Sequence, residues 1–204
     1  MIERYQYPEI EKIWNDQNKF DTWKLVEQRY LETLEENNIS PGGISSIIEK
    51  TEVLKEEVYD REKITNHDLA SFVDILQSKV GDNSNWIHYG LTSSDVVDTA
   101  NSLLIKNSLS VTIGLLDELL IQIEAKAKQE MNTPVVGRTH GVFAETTFLG
   151  NIFGNWHHEI KRNKERLEGC VETIAIGKLS GPVGNHTVVD LSLIHISEPT
   201  RRRG

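Results

Sequence analysis

The sequence predicts an all-α fold: a small helical N-terminal domain followed by the start of a long-helix bundle, truncated before the bundle is complete. Three observations predict it. Helix formers dominate up to Pro134, and glycine and proline are sparse there. Apolar residues recur at three- and four-residue steps rather than alternating. No proline interrupts residues 94–131, a stretch that at 1.5 Å per residue makes one helix of about 55 Å.

The elements follow in order. Residues 20–36 form a helix through Trp23, Leu25, Val26, Tyr30, Leu31 and Leu34. Ser40-Pro41-Gly42-Gly43 breaks the chain, and residues 44–53 form a second, short helix. Asn66 is the expected N-cap of a third, with the stripe Leu69, Phe72, Val73, Leu76 and Val80. After a loop at residues 81–85, Ser93 or Ser94 caps the long helix, with Asp95 in its first turn where negative charge suits the macrodipole. Residues 133–141 read as an extended connection and residues 144–174 as a second long helix; residues 177–184 are turn-rich and could pair as a hairpin. The expected domains are residues 1–91, 92–190 and a non-native tail, 191–204. Two long helices and a modest cap cannot cover so much apolar surface, so further helices are expected from more chain or from other subunits.

Composition narrows the function. A formal charge of −9 is wrong for general nucleic-acid binding, which needs clustered Lys and Arg. Membrane association is not expected, since no run of eighteen apolar residues occurs. The N-terminus lacks the apolar core of a secretory signal, and Cys170 is the single cysteine, so a cytoplasmic, reducing location is expected. The string LSLIHISEPTR within residues 191–204 resembles a translated sequencing adapter. The body before it is therefore expected to be the N-terminal portion of a longer protein; the other reading is a natural basic tail for an acidic partner.

Six histidines lie in that body. His157 and His158 read as surface or packing residues, and His186 is open in role. His67, His88 and His140 sit at helix junctions, where an imidazole can move protons or bind anions. Thr92-Ser93-Ser94 offers hydroxyls and backbone N–H groups at a helix N-terminus, a natural anion cradle. Neither His-x₃-His nor His-Glu-x-x-His spacing occurs, so no metal is expected.

Two segments are more specific. Gly-Leu-Thr-Ser-Ser-Asp-Val-Val-Asp-Thr from Gly90 and Gly-Arg-Thr-His-Gly-Val-Phe-Ala-Glu from Gly137 resemble, in order, two signature segments of the adenylosuccinate lyase family, within the fumarase/aspartase superfamily. Arg4-Tyr5, Asn66-His67-Asp68 and Trp86-Ile87-His88-Tyr89-Gly90 fit the same family. The resemblance implies elimination of fumarate from adenylosuccinate, giving AMP, and from the succinyl-carboxamide ribotide of purine biosynthesis. It implies general acid–base β-elimination with no cofactor, small purine nucleotides as partners and a homotetramer.

Carried onto this sequence, the resemblance makes His140 the general acid, with His67 supporting it or touching substrate and Asp68 orienting His67. Thr92 and Ser93 would bind the succinyl carboxylates, Arg4 and Tyr5 the phosphate, with Thr139 and His88 as further substrate contacts. Asn66 stands where some members carry arginine, so it brings a donor without charge. The family's catalytic serine lies in a loop with a Met-Pro-x-Lys-x-Asn pattern, which is absent here, and Ser180 lacks the following Lys and Asn. Negligible activity is therefore expected of this chain alone. The alternatives are another lyase of the superfamily (an argininosuccinate lyase or a cycloisomerase) and a non-catalytic helical interaction module.

Overall fold

A computed structural model describes residues 3–186, so the expected tail at 191–204 and the end of the expected second domain lie outside the described residues. Among the described residues seven α-helices and one two-stranded sheet follow each other: α1 (Pro8–Trp14), α2 (Asp16–Glu36), α3 (Ile44–Lys50), α4 (Lys55–Thr65), α5 (Asp68–Val80), α6 (Ser93–Gln129), β1 (Pro134–Thr139), β2 (Val142–Phe148) and α7 (Leu149–Ile174). Among the described residues no helix is long and apolar enough to cross a membrane. The chain forms two compact units, Ser108–Thr173 and the remainder.

The core of the first unit comes from the stripes that the periodicity exposes. On α2, Phe20, Trp23, Leu31 and Leu34 are buried at three- and four-residue steps; Leu69, Phe72 and Leu76 of α5 and Val96 and Ala100 of α6 are buried too. The Phe20 and Phe72 rings stack at 6.2 Å, and Trp23 meets Phe72 edge-on at 5.7 Å, geometries that add to the burial itself. Asn15 caps α2 by accepting the Asn18 N–H at 2.9 Å. The Glu35 carboxylate accepts both the Ser45 N–H and its hydroxyl, joining the end of α2 to the start of α3.

Three expectations need correction. Asn66 is not the N-cap of α5. It ends α4 in left-handed backbone (φ +54°), donating its N–H to the Glu62 carbonyl, and His67 is the cap. Asparagine tolerates that conformation better than most L residues. The error follows from missing α4, which buries only Val58 and so shows no apolar stripe.

The second long helix starts at Leu149, not residue 144, because Val142–Phe148 pairs antiparallel with β1. Val142, Phe143, Thr146, Thr147 and Phe148 suit a strand. His140 (φ +52°) and Gly141 (φ +79°) make the two-residue left-handed turn that matches hairpin twist. A register shift lies between Val136 and Arg138, where Gly137 is needed: a Cβ there would stand 2.7 Å from the Glu145 carbonyl oxygen. Residues 177–184 do not form a hairpin. Their backbone is bonded to Thr99 and Asp95 instead, and Leu179 packs on the core.

Within the second unit, Gly150 lets α7 pass close to the end of α6. A Cβ there would lie 2.7 Å from the Ala127 oxygen and from the Met131 Cα. Lys164 of α7 pairs with Asp117 of α6 at 2.6 Å. Gly150 is the one buried residue of α7, while Leu119, Ile121 and Trp156 remain exposed, so these helices carry the uncovered apolar surface that their sequence foretells.

Candidate active site

The candidate residues of the first unit lie where α5 begins and where α6 begins. At the head of α5, His67 Nδ1 accepts the Ala70 N–H at 3.3 Å. An accepting nitrogen carries no proton, so in the neutral ring Nε2 carries it and donates to Ser93 Oγ, 3.3 Å away. That contact joins residues 26 positions apart and brings Asn66-His67-Asp68 to the segment that begins at Gly90. Asp68 lies beside the ring, its Oδ1 3.6 Å from Nδ1, too long for a hydrogen bond, and it accepts its neighbour Leu69's N–H. The bond that orients His67 here therefore comes from the Ala70 backbone. Asn66 is exposed beside it.

The turn before α6 is held from behind. Gln77 donates to the Ile87 carbonyl at 3.3 Å, and the Tyr30 hydroxyl donates to the Tyr89 carbonyl at 2.8 Å. Burial, with Glu27 nearby, pushes the Tyr30 hydroxyl far above its ordinary range, so it stays a donor. His88 stands between them in left-handed backbone (φ +64°), tied to Glu27 through its N–H and its ring.

Asp95 does the equivalent for Thr92. It is 1% exposed, and its carboxylate accepts the N–H groups of Thr92, Ser180 and Gly181 and the ammonium of Lys178. Burial pushes this carboxyl up, but Lys178 and the three N–H groups outweigh it and hold it below the usual carboxylate range. Lys178 also bonds Ser94 Oγ at 2.8 Å. The head of α6 is thus tied to a segment more than eighty residues later in the chain.

Arg4 and Tyr5 form their own exposed pair, the guanidinium 4.8 Å over the ring. Thr139 and His140 belong to the second unit, His140 exposed at the tip of the β1–β2 hairpin. Among the described residues no three His, Cys, Asp or Glu side chains gather as metal ligands. Sequence reasoning missed Glu27 and Lys178 and saw Asp95 only as a helix-start charge. Glu27 did leave a signal, since it lies within the apolar stripe of α2 between Trp23 and Leu31.

A family model described as a lyase matches residues 5–194, reaching just past the start of the segment that resembles adapter. Adenylosuccinate lyase of Bacillus subtilis is 39% identical over 191 residues, 93% of this chain and 44% of the relative. That of Thermotoga maritima is 38% identical over 190 residues, again 93% and 44%. The chain therefore spans less than half the length of the curated relatives it matches.

Solved structures share the fold at low identity. A fumarate lyase from Mesorhizobium sp. BNC1 superposes with a TM-score of 0.83 at 22% identity, over 95% of this chain and 45% of that one. The 3-carboxy-cis,cis-muconate lactonizing enzyme of Pseudomonas putida gives 0.88 at 17%, over 95% and 46%. With a helical fold, two motif segments in register and a family match over nearly its whole length, the chain belongs to the lyase family of the fumarase/aspartase superfamily.

Proposed function

We propose that the protein to which these residues belong eliminates fumarate from adenylosuccinate and from the succinyl-carboxamide ribotide of purine biosynthesis, as a cytoplasmic homotetramer. The observation that carries the reading is the 39% identity to an adenylosuccinate lyase over 93% of the chain. The site geometry fits it. Ser93 Oγ receives the His67 Nε2–H, which leaves the serine's own proton free to donate to a succinyl carboxylate. Thr92 and Ser93 open α6, where the helix dipole favours negative charge. Charge developing at the carboxylate as the proton beside it leaves is stabilised by such fixed donors.

His140 protonates the departing nitrogen from an exposed turn, and Thr139 flanks it. His67 and Asp68 support the acid or meet substrate, with Asn66 offering an uncharged donor beside them. Arg4, with Tyr5, takes the nucleotide phosphate, which suits the planar guanidinium, and His88 adds a contact. The base that starts the elimination is not among the motifs of this chain, so the chain alone turns over negligibly.

The test is fumarate release from both purine substrates, followed by ultraviolet absorbance, for the 204-residue chain and for a version carried to the length of the curated relatives. The longer version turns over and the short one does not. Robust turnover by the short chain overturns the fragment reading, and a longer version that acts only on argininosuccinate or fumarate overturns the choice of substrate.

A further inference from the structure

Glu27 is buried in the middle of α2, 1% exposed, and both donors that meet its carboxylate belong to His88. The His88 backbone N–H reaches Oε2 at 2.9 Å, and ring Nδ1 lies 2.5 Å from Oε1. A carboxylate removed from water is unfavourable unless donors meet its lone pairs. These two bonds account for Glu27 being tolerated there.

The backbone bond alone does not account for a histidine at position 88. The backbone there is left-handed, which glycine or asparagine adopts at less cost. Any residue but proline would supply the N–H. What histidine adds is a ring N–H for Oε1 and a second ring nitrogen beyond it. An ionised carboxylate only accepts, so Nδ1 must be the donor to Oε1. Nε2 then remains, with no protein partner among the described residues, on a side chain 21% exposed.

The geometry points to Glu27 as a positioning residue of the lyase site: by holding the His88 Nδ1–H, it fixes the ring's rotation and leaves Nε2 as the atom that meets substrate. With Nδ1 facing the Glu27 carboxylate, Nε2 is the ring atom left to accept. The surrounding bonds keep the ring from moving away. Tyr30 is three residues after Glu27 on the same face of α2 and pins the Tyr89 carbonyl, while Gln77 pins that of Ile87. The inference rests on the proposed role of His88 as a substrate contact.

Imidazole ¹⁵N–¹H correlation spectra of the ¹⁵N-labelled 204-residue chain, without substrate, test it; the His88 signals are identified by their loss in His88→Gln. The expected spectrum shows the Nδ1–H signature for His88 in the folded chain. In Glu27→Gln the backbone N–H can only donate, so it takes the amide oxygen and the amide NH₂ faces the ring. The expected result is a switch of His88 to the Nε2–H tautomer, with circular dichroism reporting an unchanged fold.

A bare Nδ1 in the unsubstituted chain overturns the inference, and so does an unchanged Nδ1–H signature in a folded Glu27→Gln. If that variant does not fold, the unsubstituted spectrum still decides. Because substrate is absent, a wrong tautomer sinks this inference and leaves the lyase reading to the fumarate assay. A failed fumarate assay in turn leaves the tautomer result standing.

Discussion

Replacing Asp95 by asparagine removes a charge while keeping the shape of the side chain. In the native chain Oδ2 accepts from Thr92 and Gly181, and Oδ1 from Lys178 and Ser180. An amide has one oxygen, so whichever way it turns, its NH₂ group faces two donors and two bonds are lost. Bonds to a charged acceptor contribute about 1.5–3 kcal/mol each, and removing one partner of a buried pair costs about 3–5 kcal/mol. The Lys178 side chain is one-third exposed and regains water, which places the loss near the lower end, about 3 kcal/mol.

Urea unfolding followed by circular dichroism reads this directly. At a slope of about 2 kcal/mol per molar, the midpoint falls by about 1.5 M with the slope unchanged. The carboxyl's folded pKa lies below its ordinary value of 3.8. Its contribution is therefore complete above that value and disappears as pH falls through the folded pKa. The gap between native chain and Asp95→Asn is accordingly wide at neutral pH and closes in acid. A midpoint shift under about 0.3 M at neutral pH would refute the reasoning, since surface substitutions alone reach that size.

Gly150→Ala forces a Cβ to within 2.7 Å of α6 backbone and is expected to destabilise by about 1–3 kcal/mol. Gly154→Ala on the same helix meets nothing within 4 Å and should gain roughly 0.5–1 kcal/mol from helix propensity, so thermal melts of the two variants move in opposite directions. His140→Ala, made in the version carried to the length of the curated relatives, should lower the rate of fumarate release by about two to four orders of magnitude while leaving the melting temperature within a degree or two. Within the 204 residues the side chain is exposed at the hairpin tip, so its truncation removes no packing inside this chain.

Legibility in the sequence tracks how much a helix buries. α2, α5 and the first half of α6 carry the core, and their stripes of Phe20–Leu34, Leu69–Val80 and Val96–Leu104 could be read directly. α4 buries one residue, Val58, and so shows no apolar stripe to read. The hairpin was misread because Ala144 and Glu145 are helix formers, and because its turn is His140-Gly141 rather than the commoner asparagine–glycine. In the candidate site, the motif residues were visible because they stand together in short segments. Their supports were not. Glu27 meets His88 across 61 residues and Lys178 meets Asp95 across 83, separations at which no local pattern carries information.

Those hidden supports share one design. Each of two buried acids accepts the backbone N–H of a residue proposed to meet substrate, Glu27 that of His88 and Asp95 that of Thr92. A carboxylate that grips the main chain fixes the position of the residue, which leaves the Thr92 hydroxyl free to change partners during a reaction, whereas the His88 ring is held at Nδ1 as well and only its Nε2 is left to do so. The negative charge of Asp95 is also offset by Lys178 and fixed N–H groups, which lessens its repulsion of the anionic succinyl group proposed as substrate. His140 is held in a different way, by the left-handed turn of its hairpin alone. Substitutions at Glu27 and Asp95 should therefore disturb substrate binding without touching substrate, whereas at the hairpin tip the residues to replace are the proposed contacts themselves, His140 and Thr139.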